Sequence, residues 1–191
     1  MSPSDSSFSL QGKVALVTGS GKTRGIGAAI ATLLAQHGAA VILNYVSPST
    51  APSAATVAES IIAAGGQALA VQADISRPDE AQRLVQAAVD AFGRLDILVN
   101  NAATGTPGPV LGAAPESLAT TFAVNVFGPI YLIQEAVKHM PPHSRVINIG
   151  SVASKLGISG SPVYSASKAA MDALTFSMAM EVSQILRRDL A

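Results

Sequence analysis

The chain is 191 residues long, with twelve Lys plus Arg balanced by twelve Asp plus Glu, and 49% of it is apolar. One domain's worth of apolar, weakly charged chain excludes wholesale disorder and a basic nucleic-acid-binding face. There is no cysteine, hence no disulfide, thiolate metal ligand or cysteine nucleophile, and the three histidines, His37, His139 and His143, are expected to hold no metal.

Residues 1–12 are Ser-rich and lack the basic and apolar regions of a signal peptide, so they read as a disordered lead. No run of about 18 uninterrupted apolar residues occurs, so no membrane span and a cytoplasmic protein are expected. Lys13–Thr18 is a short apolar strand ending in a Gly-rich turn. Gly25–His37 then has helical spacing, with Ile26, Ile30, Leu33 and Leu34 on one side and Gly38 as the stop. Ala40–Tyr45 is the second strand, and Ser53 is placed to cap a helix running to Ala64. Gln67–Ala73 is the third strand. Ser76 is a candidate cap for a helix opened by Pro78, Asp79 and Glu80 and closed near Phe92-Gly93. Leu95–Val99 and Arg145–Ile149 are the fourth and fifth strands. Between them a long helical stretch runs from about Pro115 to His139, interrupted at Gly128-Pro129, and a last helix follows Ser161-Pro162 to about Val182. Strands apolar on both faces, alternating with helices, predict an α/β fold with an open, doubly wound parallel sheet. Its ligand site belongs beyond the carboxyl ends of the strands. The domain is expected over residues 13–182, with a short tail at 183–191.

Four groups of residues fall on that edge. The turn Thr18-Gly19-Ser20-Gly21-Lys22-Thr23-Arg24-Gly25-Ile26-Gly27 joins a strand to a helix, where glycines admit a pyrophosphate to the backbone and the helix N-terminus offers amides. A tight turn without ligand is the plainer reading. A triphosphate-binding loop is excluded, because the glycine it needs five residues before Gly21 falls at Leu16. The second strand ends in Asn44-Tyr45-Val46-Ser47, with no acid to hold ribose hydroxyls, while Lys22 and Arg24 stand in the adjacent loop. This favours a 2′-phosphorylated dinucleotide, NADP(H), unless the two bases are simply solvated. Asp74 follows the third strand and Asn100-Asn101-Ala102-Ala103 the fourth, either as ligand contacts or as turn chemistry.

The fourth group carries the chemistry. Tyr164 and Lys168 stand at i, i+4 on one helix, with Ser151 thirteen positions before Tyr164. A phenol ionises near pH ~10. An ammonium at about 4–5 Å favours phenolate by roughly 3–4 kcal/mol at an effective dielectric of 20, lowering that pKa by about two to three. Tyr164 could then exchange a proton with a substrate oxygen near neutral pH, with Ser151 donating a hydrogen bond to the same oxygen.

Taken together and in order, the Gly-rich turn, Asp74-Ile75, Asn100-Asn101-Ala102-Ala103, Asn125, Ser151 and Tyr164-x-x-x-Lys168 resemble the short-chain dehydrogenase/reductase family over about residues 13–182. Val41–Tyr45 is similar to the 3-oxoacyl-thioester reductases and fungal polyhydroxynaphthalene reductases within it. The resemblance implies a Rossmann-like sheet, Tyr164 as acid/base, and Lys168 as holder of the nicotinamide ribose. It also implies Ser151 as carbonyl-orienting group and Asn125 as holder of a water in a helix kink. Gly19, Arg24, Gly25, Ile26, Gly27, Asn44, Ser47, Asp74, Ile75, Asn101, Ala102, Tyr164 and Lys168 are the expected cofactor-binding positions.

Three departures from the family pattern stand out. Gly19 and Gly25 are separated by five residues where three are usual, so either the loop is longer or Gly21 takes the first glycine's place. Ala103 replaces a usual glycine. The chain ends nine residues after Val182, where the family continues through two more strands, so the domain reads as C-terminally truncated. The fifth strand is then expected to be an open edge. The leading expectation is an NADPH-dependent ketone reductase acting on a small-molecule substrate as a homo-oligomer, a dimer or tetramer paired through its long helices. The competitors are a silent cofactor-binding or interaction module and an NAD-dependent alcohol dehydrogenase.

Overall fold

A computed structural model describes residues 8–185. The expected lead at 1–7 and the tail at 186–191 lie outside the described residues. Five strands, β1 (Val14–Val17), β2 (Ala40–Tyr45), β3 (Gln67–Gln72), β4 (Ile97–Asn100) and β5 (Arg145–Asn148), pair in parallel in the order β3-β2-β1-β4-β5. Six helices cover the two faces: α1 (Ile26–Gln36), α2 (Ala51–Ala63), α3 (Pro78–Phe92), α4 (Pro115–Phe122), α5 (Gly128–Ala136) and α6 (Pro162–Ile185). The central strands β1, β2 and β4 are almost wholly buried, which is why their sequences are continuous apolar runs.

The alternate side chains of these strands feed two cores. Val14, Leu16, Ile42 and Leu98 pack with α3 and α5, while Ala15, Val17, Val41, Leu43 and Val99 pack with α1 and α2. The first β1-to-β2 crossover reverses direction relative to the β3-to-β4 crossover, so the sheet has a switch point between β1 and β4, where Gly19 and Asn101 meet.

Several expectations are corrected here. α1 buries Gly27, Ala28, Ala31 and Ala35, leaving Ile26 and Leu33 exposed, because a helix this close to the sheet has room only for its smallest side chains. Ser53 lies inside α2; Ser47 instead caps a preceding 3-10 turn, its Oγ accepting from the Ser49 N–H. Ser76 does not cap α3, because its hydroxyl donates to Asp74 Oδ1; Glu80 reaches back to accept from the Asp74 N–H. Residues 8–12 of the expected disordered lead are tied down, with the Leu10 N–H donating to the His37 carbonyl and Leu10 packed on the core. α6 continues past the expected Val182 to Ile185. His139 and His143 do stand four apart, a helical metal spacing, but α5 ends at Ala136 and His143 turns at φ 67° beyond Pro141-Pro142.

The 22-residue stretch Pro115–Ala136 is long and apolar enough to cross a membrane by length and composition. Here it packs inside the fold, with Leu132, Ile133 and Ala136 in the core beside α3. β5 is the last strand of the sheet, and among the described residues no strand pairs with its outer edge. A cavity of about 550 Å³ lies there between β5, α5 and α6, walled by Ile133, Val146, Met178 and Val182.

Candidate active site at the carboxyl edge of the sheet

The Gly-rich turn is held in place by its neighbours. Gly19 has φ 62°, a left-handed backbone that favours glycine, and a Cβ there would come within 2.8 Å of the Ala102 Cα. Gly27 is equally confined: a Cβ would lie 2.6 Å from Asn101 Nδ2 and 2.8 Å from the Gly19 carbonyl oxygen. Gly21 packs against Tyr45, where a Cβ would meet the tyrosine Cβ at 2.6 Å. Gly19 is thus the glycine at the sheet switch point. The two extra residues extend the turn through Lys22, Thr23 and Arg24, all exposed.

α1 begins at Gly25 with no side-chain cap and no acid in its first turn, so its leading amides face outward unclaimed by a side chain. Thr18 ties the turn to β4: its buried Oγ1 accepts from the Asn101 and Ala102 N–H groups, and Asn101 Nδ2 donates to the Thr18 and Gly19 carbonyls. The glycines let the turn pack closely on β4, and the uncapped N-terminus of α1 beside it, with its positive end and no acid in its first turn, suits an anionic group such as a cofactor's pyrophosphate.

Other expected cofactor positions divide by where their side chains lie. Ile26 is 67% exposed beside the turn, and Arg24 is exposed at its tip. Asn44 is buried. It accepts from the Gly19 N–H at 3.3 Å and donates to the Ala73 carbonyl at 3.0 Å, so its side chain braces the turn from below. Ile75 is a buried core side chain pressed on Gly128. Asp74 closes a turn, its Oδ1 accepting from the N–H and hydroxyl of Ser76. The Ser47 hydroxyl lies within 2.7 Å of the Ser49 hydroxyl in the loop after β2.

Tyr164 and Lys168 sit in the first two turns of α6, with the Lys168 Nζ 5.9 Å from the Tyr164 ring centroid. Lys168 is buried, and its Nζ donates to the Ile149 carbonyl at 2.7 Å, two residues before Ser151. Burial pushes the lysine below its ordinary pKa, against the pull of the Asp172 carboxylate. The ammonium thus reaches the tyrosine from over its ring, anchored to the end of β5. Ser151 accepts from the Ala153 N–H at 3.2 Å, which leaves its own hydroxyl hydrogen to give. Gly105 covers one side of the Tyr164 ring, where a Cβ would sit 3.1 Å from the ring.

Asn125 lies in a π turn (Ala123–Phe127) between α4 and α5, in which the Gly128 N–H donates to the Ala123 carbonyl. Pro129 explains the turn: it has no N–H to give the carbonyl four residues back, which is that of Asn125. The Asn125 side chain is fully engaged. Nδ2 donates to the Thr104 carbonyl and to Ser167 Oγ, and Oδ1 accepts from the Thr104 N–H. It braces the loop after β4 onto α6, with both amide hydrogens spent in doing so.

Three further contributors were given no role from the sequence: Thr18, quoted only as the first residue of the glycine turn, and Gly105 and Ser167. Only Thr18 had a signal, its place at a strand end before the glycines. A second polar link lies nearby. Asn100 Nδ2 donates to Asn148 Oδ1, whose Nδ2 donates to Thr175 on α6. Asn100 Oδ1 is buried without a partner in a cavity of about 290 Å³ that Lys168 also lines.

Comparison with known proteins agrees with this geometry. The short chain dehydrogenase family matches over residues 13–185. An uncharacterized oxidoreductase of Methylorubrum extorquens is 45% identical over 91% of this chain and 68% of its own length. The versicolorin reductase of Emericella nidulans is 41% identical over 95% of this chain and 67% of its own. The crystal structure of a blue fluorescent protein from a metagenomic library, in complex with NADPH, superposes with a TM-score of 0.87 at 38% identity, covering 92% of this chain and 71% of that one. The chain thus spans about two-thirds of the length of these relatives. Matched over nearly its whole described length, and 45% identical to one relative, this chain belongs to the short-chain dehydrogenase/reductase family.

Proposed function

We propose that the chain forms the cofactor-binding and catalytic part of an NADPH-dependent carbonyl reductase. The observation that carries this reading is the buried Lys168, pinned to the Ile149 carbonyl with its Nζ over the Tyr164 ring, in the first turns of the helix that follows β5. Three features support NADP(H): the relative of known structure that binds NADPH, the lack of an acid at the end of β2, and the exposed Lys22 and Arg24 in the extended turn.

NADPH, when bound, supplies the hydride that reduces the carbonyl carbon. Tyr164 gives its hydroxyl proton to the carbonyl oxygen, and the Lys168 ammonium favours the phenolate left behind. Ser151 donates a hydrogen bond to the same oxygen, where negative charge develops. Asn125 fixes the loop whose Gly105 backs the tyrosine ring. Asn44, through the Gly19 amide, holds the floor of the glycine turn. The subunits are proposed to associate through α6, which leaves Phe176 and Met180 exposed one turn apart; light scattering should then give at least twice the monomer mass.

The test is Tyr164→Phe. It should lower kcat for ketone reduction by at least 100-fold, about 3 kcal/mol of barrier, with NADPH affinity unchanged by fluorescence titration. Equal rates would remove Tyr164 from the mechanism. NADPH binding with no oxidation by any ketone would favour a silent cofactor-binding module.

A further inference from the structure

Two loops meet beside the Tyr164 ring: residues 101–114 after β4 and residues 149–162, which lead from β5 into α6. They are joined across the site, the Gly108 N–H donating to the Gly160 carbonyl at 2.7 Å, and Gly105 of the first lies on the tyrosine ring. Their large outward side chains are aliphatic, set among the exposed but uncharged Thr104, Thr106 and Ser159. Leu111, Val152 and Leu156 are 87%, 66% and 59% exposed, and Val110 and Ile158 are also exposed.

Charge is nearly absent. Residues 101–114 carry none, and 149–162 carry only Lys155. That lysine is spent in an ion pair with Asp172 at 2.8 Å, and the Lys155 ammonium, with the Ser154 hydroxyl, holds the Asp172 carboxyl below its usual range. The next charge along the chain is an acid, Glu116 at the start of α4. Lys168 is buried and committed to Ile149. An anionic group entering beside Ser151 would lose water and meet no unpaired cation in either loop.

We infer that this rim selects a free, uncharged, apolar ketone over a carboxylated ketone or an acyl thioester carried on an anionic phosphate arm. The inference rests on Tyr164 marking the reactive end of the site. It goes further by naming what the mouth admits. Apolar ring or chain carbons gain by covering the exposed Val110, Leu111, Val152, Leu156 and Ile158. The carbonyl is satisfied through Ser151 and Tyr164, and Thr104, Thr106 and Ser159, exposed on the two loops, carry no charge to offset an anion's.

Binding separates this inference from the catalytic reading. Tyr164→Phe protein saturated with NADPH is titrated calorimetrically with 2-tetralone, with a carboxyl-substituted 2-tetralone and with acetoacetyl-coenzyme A. The neutral ketone should bind at least tenfold more tightly than either anion, and adding Leu156→Lys should narrow that gap at least fivefold while leaving NADPH affinity unchanged. Equal or tighter binding of either anion, or no binding of the neutral ketone, overturns the inference. If the neutral ketone binds with this preference but wild-type protein does not oxidise NADPH in its presence, the rim inference stands and the reductase reading falls.

Discussion

Gly27 is closely confined. Its missing side chain is the space in which Asn101 reaches the Thr18 and Gly19 carbonyls, so one methyl group there displaces an asparagine or a strand end. Gly27→Ala should cost about 1–3 kcal/mol in urea unfolding and weaken NADPH binding at least tenfold by fluorescence titration. A substitution neutral in both would mean that the turn is looser than its contacts imply. Asp96 is the corresponding point at the opposite edge of the sheet. Its buried carboxylate accepts from the Val14 N–H and from Arg94 and Lys13. Burial alone pushes its pKa up, but Arg94, the Val14 amide and Lys13 together hold it below the usual value. A depressed carboxylate stabilises the fold above its unfolded pKa of about 3.9, and that contribution is lost as pH falls through the lower folded value. Asp96→Asn should lower stability by about 2 kcal/mol at pH 7 and flatten the wild-type decline below about pH 4, both by denaturant unfolding.

At the scale of elements, the break between α4 and α5 places Asn125. The pair Asn125…Pro129, four apart, is a sequence signal for it, because the proline cannot supply the hydrogen bond its position owes. The sequence therefore made a helix irregularity legible, and what it hid was the direction of the asparagine side chain. Asn125→Leu, close in volume, should leave the Thr104 amide and carbonyl without their protein partners, cost about 1–3 kcal/mol and raise proteolytic cutting in residues 101–112. Unchanged cleavage and stability would count against the brace. α1 was misread for a related reason. Periodicity points to Ile26, Ile30, Leu33 and Leu34 as the inner face. Ile30 and Leu34 do pack on the core, but Ile26 and Leu33 are exposed because Gly27, Ala28 and Ala31 are the residues buried against the sheet, and no hydropathy pattern carries a distance. The helix caps failed likewise: the Ser76 hydroxyl found Asp74 closer than any helix amide.

Across the whole molecule, the parallel sheet was readable because β1, β2 and β4 are buried on both faces and admit only apolar residues, apart from Asn44 and Asn100 at their ends. The cofactor edge was readable for the same topological reason: glycines, Asn101 and Ser151 all follow strands, and strand ends meet there. Less legible was the partition of that edge between residues that face a ligand and residues that hold those in place, since Asn44 and Ile75 look like contacts in sequence and are interior in space. The central claim is that hydride and proton meet at one carbonyl above the glycine turn, and isotope transfer tests it most directly. With NADPH deuterated at the transferring position, wild-type protein should place one deuterium on the carbinol carbon of the reduced ketone, read by mass spectrometry, at a rate at least 100-fold above that of Tyr164→Phe. Tight NADPH binding with no deuterium in any product would contradict the account.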